Sequence, residues 1–436
     1  MRLAVTGVDL MKSSVAFGRS ILPLELPDKF RYHTLDARSA KPLADPQNEL
    51  CRALEAPIAS VPLKDLVRGK RSAAISICDI TRPAPNSQTL PPILRCLEQA
   101  GIPRDAITIL IATGLHRAAT KSEIEEICGP EIASQYEVVN HDARDLASHR
   151  YLGTTASGTP VYIDDRFISA DLHITLGLIE PHLMAGFSGG RKLVAPGLAA
   201  QETIKVLHSS RFIRQPQAVE GFIEDNGFHS ELLEIARIAR HDFLLDVALT
   251  RDREIAGIFA GNPVEAHRQG TAFVSRVLME QLDEPLDGVI TSAAGYPLDL
   301  TFYQAIKGVT AASHIVKPTG QILLIAACEE GPGAPEFREM LRTYPSDREF
   351  MDKILHSPVT VDQWQLEKLG LVTADRRVFF FVPGLPAEYW AGLWGPAFQT
   401  IPAALNAFFE GMPEGSAIGV IPEGPYVLAK IMRQNA

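Results

Sequence analysis

Three histidines and a lysine stand where side-chain chemistry has something to work on. His116 closes the run Ala112-Thr-Gly-Leu-His116-Arg117, His182 follows Pro181, and His208 lies downstream of Lys192. An imidazole at the end of a strand suits a general base, because its ordinary pKa of ~6.5 lies near working pH. Lys192 ends Gly186-Phe-Ser-Gly-Gly-Arg-Lys192, whose backbone N–H groups suit an anion and whose amine suits a ligand or a covalent bond. The plain alternative is a solvated lysine after a turn. The stretch lacks Walker A spacing, no GxGxxG follows an early strand, and no HExxH pairs two imidazoles on one helical face.

Cationic and amide side chains complete the set. Asp79-Ile-Thr-Arg82-Pro83 puts an arginine in a proline-stiffened loop, suited to forked binding of a carboxylate or phosphate; Asp79 could instead simply pair with Arg82 and close the loop. In Thr301-Phe-Tyr-Gln-Ala-Ile-Lys307, Gln304 and Lys307 are three apart and share a helical face, with Tyr303 beside them. Asp362-Gln-Trp-Gln365 gathers polar groups around Trp364, or is an ordinary amphipathic helix end.

These residues need a scaffold, and the pattern around them supplies one. Short apolar runs alternate with amphipathic stretches, the mark of α/β units. Strands are expected at 73–78, 107–112, 172–179, 243–249, 321–327 and 378–382, with shorter ones at 288–292 and 417–421. Helices are expected at 91–100, 121–128, 201–212 and 263–282. Asp79, His116 and His182 then fall just beyond strand carboxyl ends, where open α/β sheets hold ligands. The expected fold is two α/β domains with mainly parallel sheets, 1–268 and 269–436, and the active site in the cleft between them. The segment 14–66 shows no dominant period.

Composition sets the bounds. The chain has 436 residues, 46% hydrophobic and 22% charged, which excludes a disordered or fibrous protein. A net charge of −10 argues against nucleic-acid or membrane partners. Five scattered cysteines without a CxxC pair fit reduced thiols in a cytoplasmic protein. The first residues lack a signal-peptide pattern, and no apolar run approaches the ~20 residues of a membrane span.

Taken in order, DITRP at 79–83, ATGLHR at 112–117, EPHLMAGFSGGRK at 180–192, His208, GYPLDLTFYQAIK at 295–307 and DQWQ at 362–365 resemble the nickel-dependent lactate racemase family. That family comprises 2-hydroxyacid racemases and epimerases. The resemblance implies a covalent cofactor on Lys192: a pyridinium-3-thioamide-5-thiocarboxylic acid mononucleotide, the nickel-pincer nucleotide. It implies His208 as the protein ligand to nickel, with soft sulfur and imidazole suiting Ni(II). His116 and His182 would be the acid–base pair. Arg82, Gln304 and Lys307 would bind the substrate, and Asp79, Tyr303 and Trp364 would line the cofactor pocket. Separate enzymes would build the nucleotide and insert the nickel.

The implied chemistry accounts for the residue types. A 2-hydroxy acid has a very weakly acidic Cα proton, so hydride removal to an electron-poor pyridinium avoids a carbanion. Two histidines and a carboxylate clamp are then the least the protein must add. Two other readings use the same residues. A metal-dependent hydrolase could be built on His116, His182 and His208, leaving Lys192 idle. A non-catalytic hydroxyacid-binding homologue could retain the pocket.

Overall fold

Runs of apolar residues with no polar interruption become strands buried on both faces, as a parallel sheet covered by helices requires. In a computed structural model of the chain, residues 10–431 are described. Residues 1–9, which begin the segment lacking a signal-peptide pattern, and 432–436 lie outside them. The described chain divides into two units: Ser39–Val277, and the residues up to Arg38 together with those from Leu278.

The first unit is built on a six-stranded sheet in the order Ile255–Gly261, Phe243–Leu249, Leu172–Leu178, Ala73–Cys78, Ile107–Ala112, Glu137–Asn140. All neighbours are parallel except the edge pair Phe243–Leu249 and Ile255–Gly261. Every residue of Ala73–Cys78 and Leu172–Leu178 is buried. At ~1.5–3 kcal/mol for each large aliphatic side chain buried, these central strands anchor the unit. Chain order reverses direction across the sheet between Ala73–Cys78 and Leu172–Leu178, the place where open sheets form a crevice beyond their strand ends.

The second unit has a five-stranded, wholly parallel sheet ordered Arg377–Phe381, Val316–Ile325, Leu286–Ser292, Ala417–Ile421, Arg31–Thr34. Its central strand leads through 293–301 into the helix Phe302–Ser313, which packs against the helix Gln363–Thr373. A hairpin, Leu10–Phe17 with Ser20–Pro27, precedes the edge strand.

The domain division differs from the expected one in two places. The strand Arg31–Thr34 pairs with Ala417–Ile421, so the start of the chain joins the later unit. The break expected at 268 falls inside the helix Pro263–Leu278. That helix is seated on the first unit, where a Cβ on Gly270 would stand 2.1 Å from Ile179. Other departures are local. The helix expected from 91 starts at Asn86 and contains Pro91 and Pro92, and the one expected at 201–212 breaks into Gln201–Leu207 and Ser210–Ile213. The last four residues of the stretch expected at 263–282 form the strand Met279–Leu282. No helix among the described residues is long and apolar enough to cross a membrane.

Candidate functional site

In the first unit, three adjacent strands deliver the predicted residues. Ala73–Cys78 runs into Asp79 and Arg82, Ile107–Ala112 into His116, and Leu172–Leu178 into Glu180 and His182. The Asp79 carboxylate meets His116 and Thr81. Its Oδ2 lies 2.7 Å from Nδ1 of His116, and its Oδ1 accepts from Thr81 Oγ1 at 2.7 Å. Burial alone would raise the Asp79 pKa, but hydrogen bonds from His116 and Thr81, with the charges of His116 and Arg82, hold the carboxyl below its ordinary value. An ionised Asp79 receives Nδ1–H, so in the neutral His116 ring the lone pair sits on Nε2, the proton-accepting arrangement. The His116 side chain is half exposed.

Arg82 pairs with Glu180, Nη1 to Oε1 at 3.1 Å, across the point where the strand order reverses. Glu180 went unassigned in the sequence, although it directly precedes Pro181 and His182. The ring of His182 is held differently from that of His116. Its Nδ1 accepts from the backbone N–H groups of Met184 and Ala185, both at 3.2 Å. That places the proton of the neutral ring on Nε2, opposite to His116.

His208 is the C-cap of the helix Gln201–Leu207 and is buried. Its Nδ1 donates to the Ile204 carbonyl at 2.9 Å, which also accepts the His208 backbone N–H at 3.0 Å. Burial lowers its pKa to about 4; the Ile204 bond opposes this and the charge of Lys192 adds to it. A neutral ring with Nδ1 so committed carries its lone pair on Nε2, as a metal-ligating histidine does. Lys192 sits in the turn Gly190–Leu193, half-buried, its N–H bonded to the Gly189 carbonyl at 3.1 Å. Gly189 adopts φ +78°, and a Cβ there would stand 2.5 Å from Asp246 Oδ2, so the turn packs closely against the strand Phe243–Leu249. Among the described residues no three His, Cys, Asp or Glu side chains gather into a metal-holding group, so His116, His182 and His208 do not form a zinc site.

In the second unit the helix Phe302–Ser313 turns Phe302, Ala305, Ile306 and Val309 into the core and leaves Tyr303, Gln304 and Lys307 half-buried. Thr301 caps it by accepting from the Gln304 N–H at 3.4 Å. Trp364 Nε1 donates to the Tyr303 hydroxyl at 3.1 Å. Gln304 Oε1 and the Nε2 atoms of Gln363 and Gln365 are buried without hydrogen-bond partners. Leaving a buried polar atom unsatisfied costs ~1–3 kcal/mol, so such atoms mark places where a ligand supplies the missing group. Asp299, also unassigned in the sequence, organises the approach to this helix: its Oδ2 accepts from Gly18 at 2.7 Å and Ala327 at 3.1 Å.

An α/β sheet that sets Asp79, Arg82, His116, Glu180 and His182 beyond its strand carboxyl ends has the arrangement in which open sheets hold ligands. Comparison with known proteins narrows the class. Residues 17–221 match the lactate racemase N-terminal domain and residues 282–429 the lactate racemase C-terminal domain. The chain is 33% identical over 421 residues to the lactate racemase of Thermoanaerobacterium thermosaccharolyticum, spanning 95% of this chain and 98% of that protein. It is 34% identical over 387 residues to the lactate racemase of Lactiplantibacillus plantarum, spanning 88% and 91%. The apoprotein structure of the Thermoanaerobacterium enzyme superposes with a TM-score of 0.89 at 32% identity, covering 96% of this chain and 100% of that one. A Thermotoga maritima protein of known structure shares the fold alone, with a TM-score of 0.67 at 16% identity. The chain belongs to the lactate racemase family.

Proposed function

We propose that this protein is a racemase or epimerase of a 2-hydroxy acid, lactate or a related short one. It works by reversible hydride transfer to a nickel-pincer nucleotide tethered to Lys192. The observation that carries this reading is His208, a buried, neutral ring whose Nδ1 is committed to a backbone carbonyl and whose Nε2 lone pair suits nickel. The donor chemistry fits: His208 would offer an imidazole to nickel held by the soft sulfur of the nucleotide. Lys192 would hold the nucleotide through a thioamide, with Tyr303 and Trp364 supporting its pocket. When bound, the nucleotide supplies the hydride acceptor.

The chain's own residues would then handle binding and protons. Arg82, Lys307 and Gln304 hold the carboxylate and hydroxyl, and Gln304 Oε1 gains the donor it lacks. Nε2 of His116 takes the hydroxyl proton as hydride leaves Cα, and Asp79 stabilises the imidazolium. A 2-keto acid held there would be planar and could present either face to the nucleotide, which is what inversion requires. His182 gives the proton on the opposite side. For His182 to be an imidazolium its Nδ1 must carry a proton, which displaces the Met184 and Ala185 N–H groups. The two histidines are therefore unequal partners.

The protein would be cytoplasmic, supplied by separate nucleotide-building and nickel-inserting enzymes; cell fractionation and loading assays check both. Cofactor-loaded enzyme assayed against a panel of chiral 2-hydroxy acids in D₂O tests the core reading. Inversion should proceed with the substrate's own hydrogen retained on Cα. Substantial solvent deuterium at Cα in a single turnover would overturn the hydride route, and full activity without cofactor would overturn the tether.

A further inference from the structure

Arg191 has no part in the scheme above, yet it adjoins Lys192 and is the bulkiest of the fully buried side chains in the described residues, 1% exposed. Its Nη2 donates to the carbonyls of Ala185 at 2.9 Å and Phe187 at 3.0 Å. Its Nη1 donates to those of Ser188 and Gly189, both at 3.3 Å, and lies 2.6 Å from His267 Nε2. The remaining carbonyl of this stretch, Gly186, accepts from the Gly221 N–H at 2.8 Å. The loop is thus wound around a side chain of its own, with its carbonyls turned inward.

Burying a cation is costly unless its donors are satisfied. An apolar side chain here would avoid that cost but strand the Ala185 and Phe187 carbonyls, whereas those of Ser188 and Gly189 also meet His267 Nε2 at 2.8 Å and the Lys192 N–H at 3.1 Å; a guanidinium reaches all four in a fixed fork. Asp246, also fully buried, faces the same turn and accepts from the Gly190 N–H at 3.2 Å. The fork spans two pieces of backbone: the short hairpin of Pro181–His182 with Gly186–Phe187, and the turn Gly190–Leu193 that carries Lys192.

We propose that Arg191 is a positioning residue, clamping the segment from His182 to Lys192 into one rigid piece so that the acid–base ring and the tether keep a fixed spacing. The clamp is a statement about the fold; its bearing on turnover rests on the assignment of His182 and Lys192 above.

The test begins on cofactor-free protein with hydrogen–deuterium exchange of wild type and Arg191→Lys, which keeps the charge and loses the fork. Exchange should rise by roughly tenfold or more over 185–195 while peptides from 73–78 and 243–249 stay as in wild type. Unchanged exchange over 185–195, or an even rise across the unit, would overturn the clamp. In loaded enzyme, Arg191→Lys should lower kcat by roughly tenfold or more with KM within about twofold, since the substrate-holding residues are untouched. Arg191→Ala should regain turnover with millimolar methylguanidinium, whereas Lys192→Ala should not. Local softening with unchanged kcat would overturn the positioning role. Should Arg191→Ala fail to fold, Arg191→Lys decides alone. An inactive loaded wild type would defeat the functional reading and leave the exchange result to judge the clamp.

Discussion

Nine of the twelve histidines lie between residues 39 and 277, and three lie in the other unit. In the first unit burial holds His141 and His241 at a pKa of about 4, His229 at about 3, and His267 well below the ordinary value. The second unit buries a core rich in phenylalanine, and among the described residues its buried orphan atoms include those of four amides, Gln304, Gln321, Gln363 and Gln365. One unit thus buries imidazoles that take up protons only in acid, while the other buries amides that do not titrate. For a reaction that moves a proton on a carboxylate-bearing ligand, this separates turnover from holding. Substitutions at the first unit's histidines and Lys192 should act on kcat and on cofactor retention, those at Arg82 and in the second unit on KM.

The sharpest break of this contrast is Lys192→Ala, expected to lose the covalent adduct, nickel and activity together. His208→Ala should lose nickel yet keep the adduct, and intact-mass and metal analysis tell them apart. Nickel retained without adduct in the lysine variant would favour an all-histidine site.

Next come the acid–base groups. His116→Ala and His182→Ala should each lower kcat by roughly 10²-fold or more. Asp79→Asn should approach the His116 loss, because an amide no longer stabilises the imidazolium. For an enantiomer pair of equal free energy kcat/KM must fall equally in both directions, so the asymmetry between His116 and His182 should show in the two kcat values. Equal kcat losses in both directions would remove it.

Acid stability sharpens the contrast without any ligand. The unfolded chain protonates its histidines near pH ~6.5, while folded His141 and His241 do so only at about 4. Between these values the unfolded state binds more protons, so stability falls as pH falls, by up to ~1.4 kcal/mol per pH unit for each such ring. Exchange or calorimetry from neutral to mildly acid pH should show the 39–277 unit losing stability first. His241→Phe should flatten that slope; an unchanged slope would remove His241 from the account.

The smallest effect belongs to the holding unit. Trp364→Phe deletes one hydrogen bond to Tyr303, worth ~1 kcal/mol, and should raise KM by roughly fivefold with little change in kcat.

Much of this was legible in the sequence wherever one stretch determined its own fate. The runs 73–78, 107–112, 243–249 and 417–421 are dominated by apolar residues and form strands with those bounds. Pro91 and Pro92 looked like a helix start, yet the helix carries them in its second turn. The hairpin Leu10–Phe17 with Ser20–Pro27 has an exposed, mixed face and so no strong period. The pairing of Asp79 with His116 crosses two neighbouring strands. Its signal was an acid directly after one strand and a histidine in the loop after the next. That Arg82 meets Glu180 depends on strand order, which no local pattern encodes.

The strand Arg31–Thr34 has a consequence for how the protein is made. At ~5–20 residues per second, the ~380 residues between it and its partner Ala417–Ile421 take roughly 20–80 s to synthesise. The beginning of the chain therefore waits, as an unpaired edge, for nearly the whole of translation, while the unit from Ser39 to Val277 emerges complete in between. Chains arrested once that unit has cleared the ribosome should protect it from protease while the arm before it is still cut. A strand made ~380 residues later is then the one that covers that early edge, so the later sheet closes only once Ala417–Ile421 has emerged.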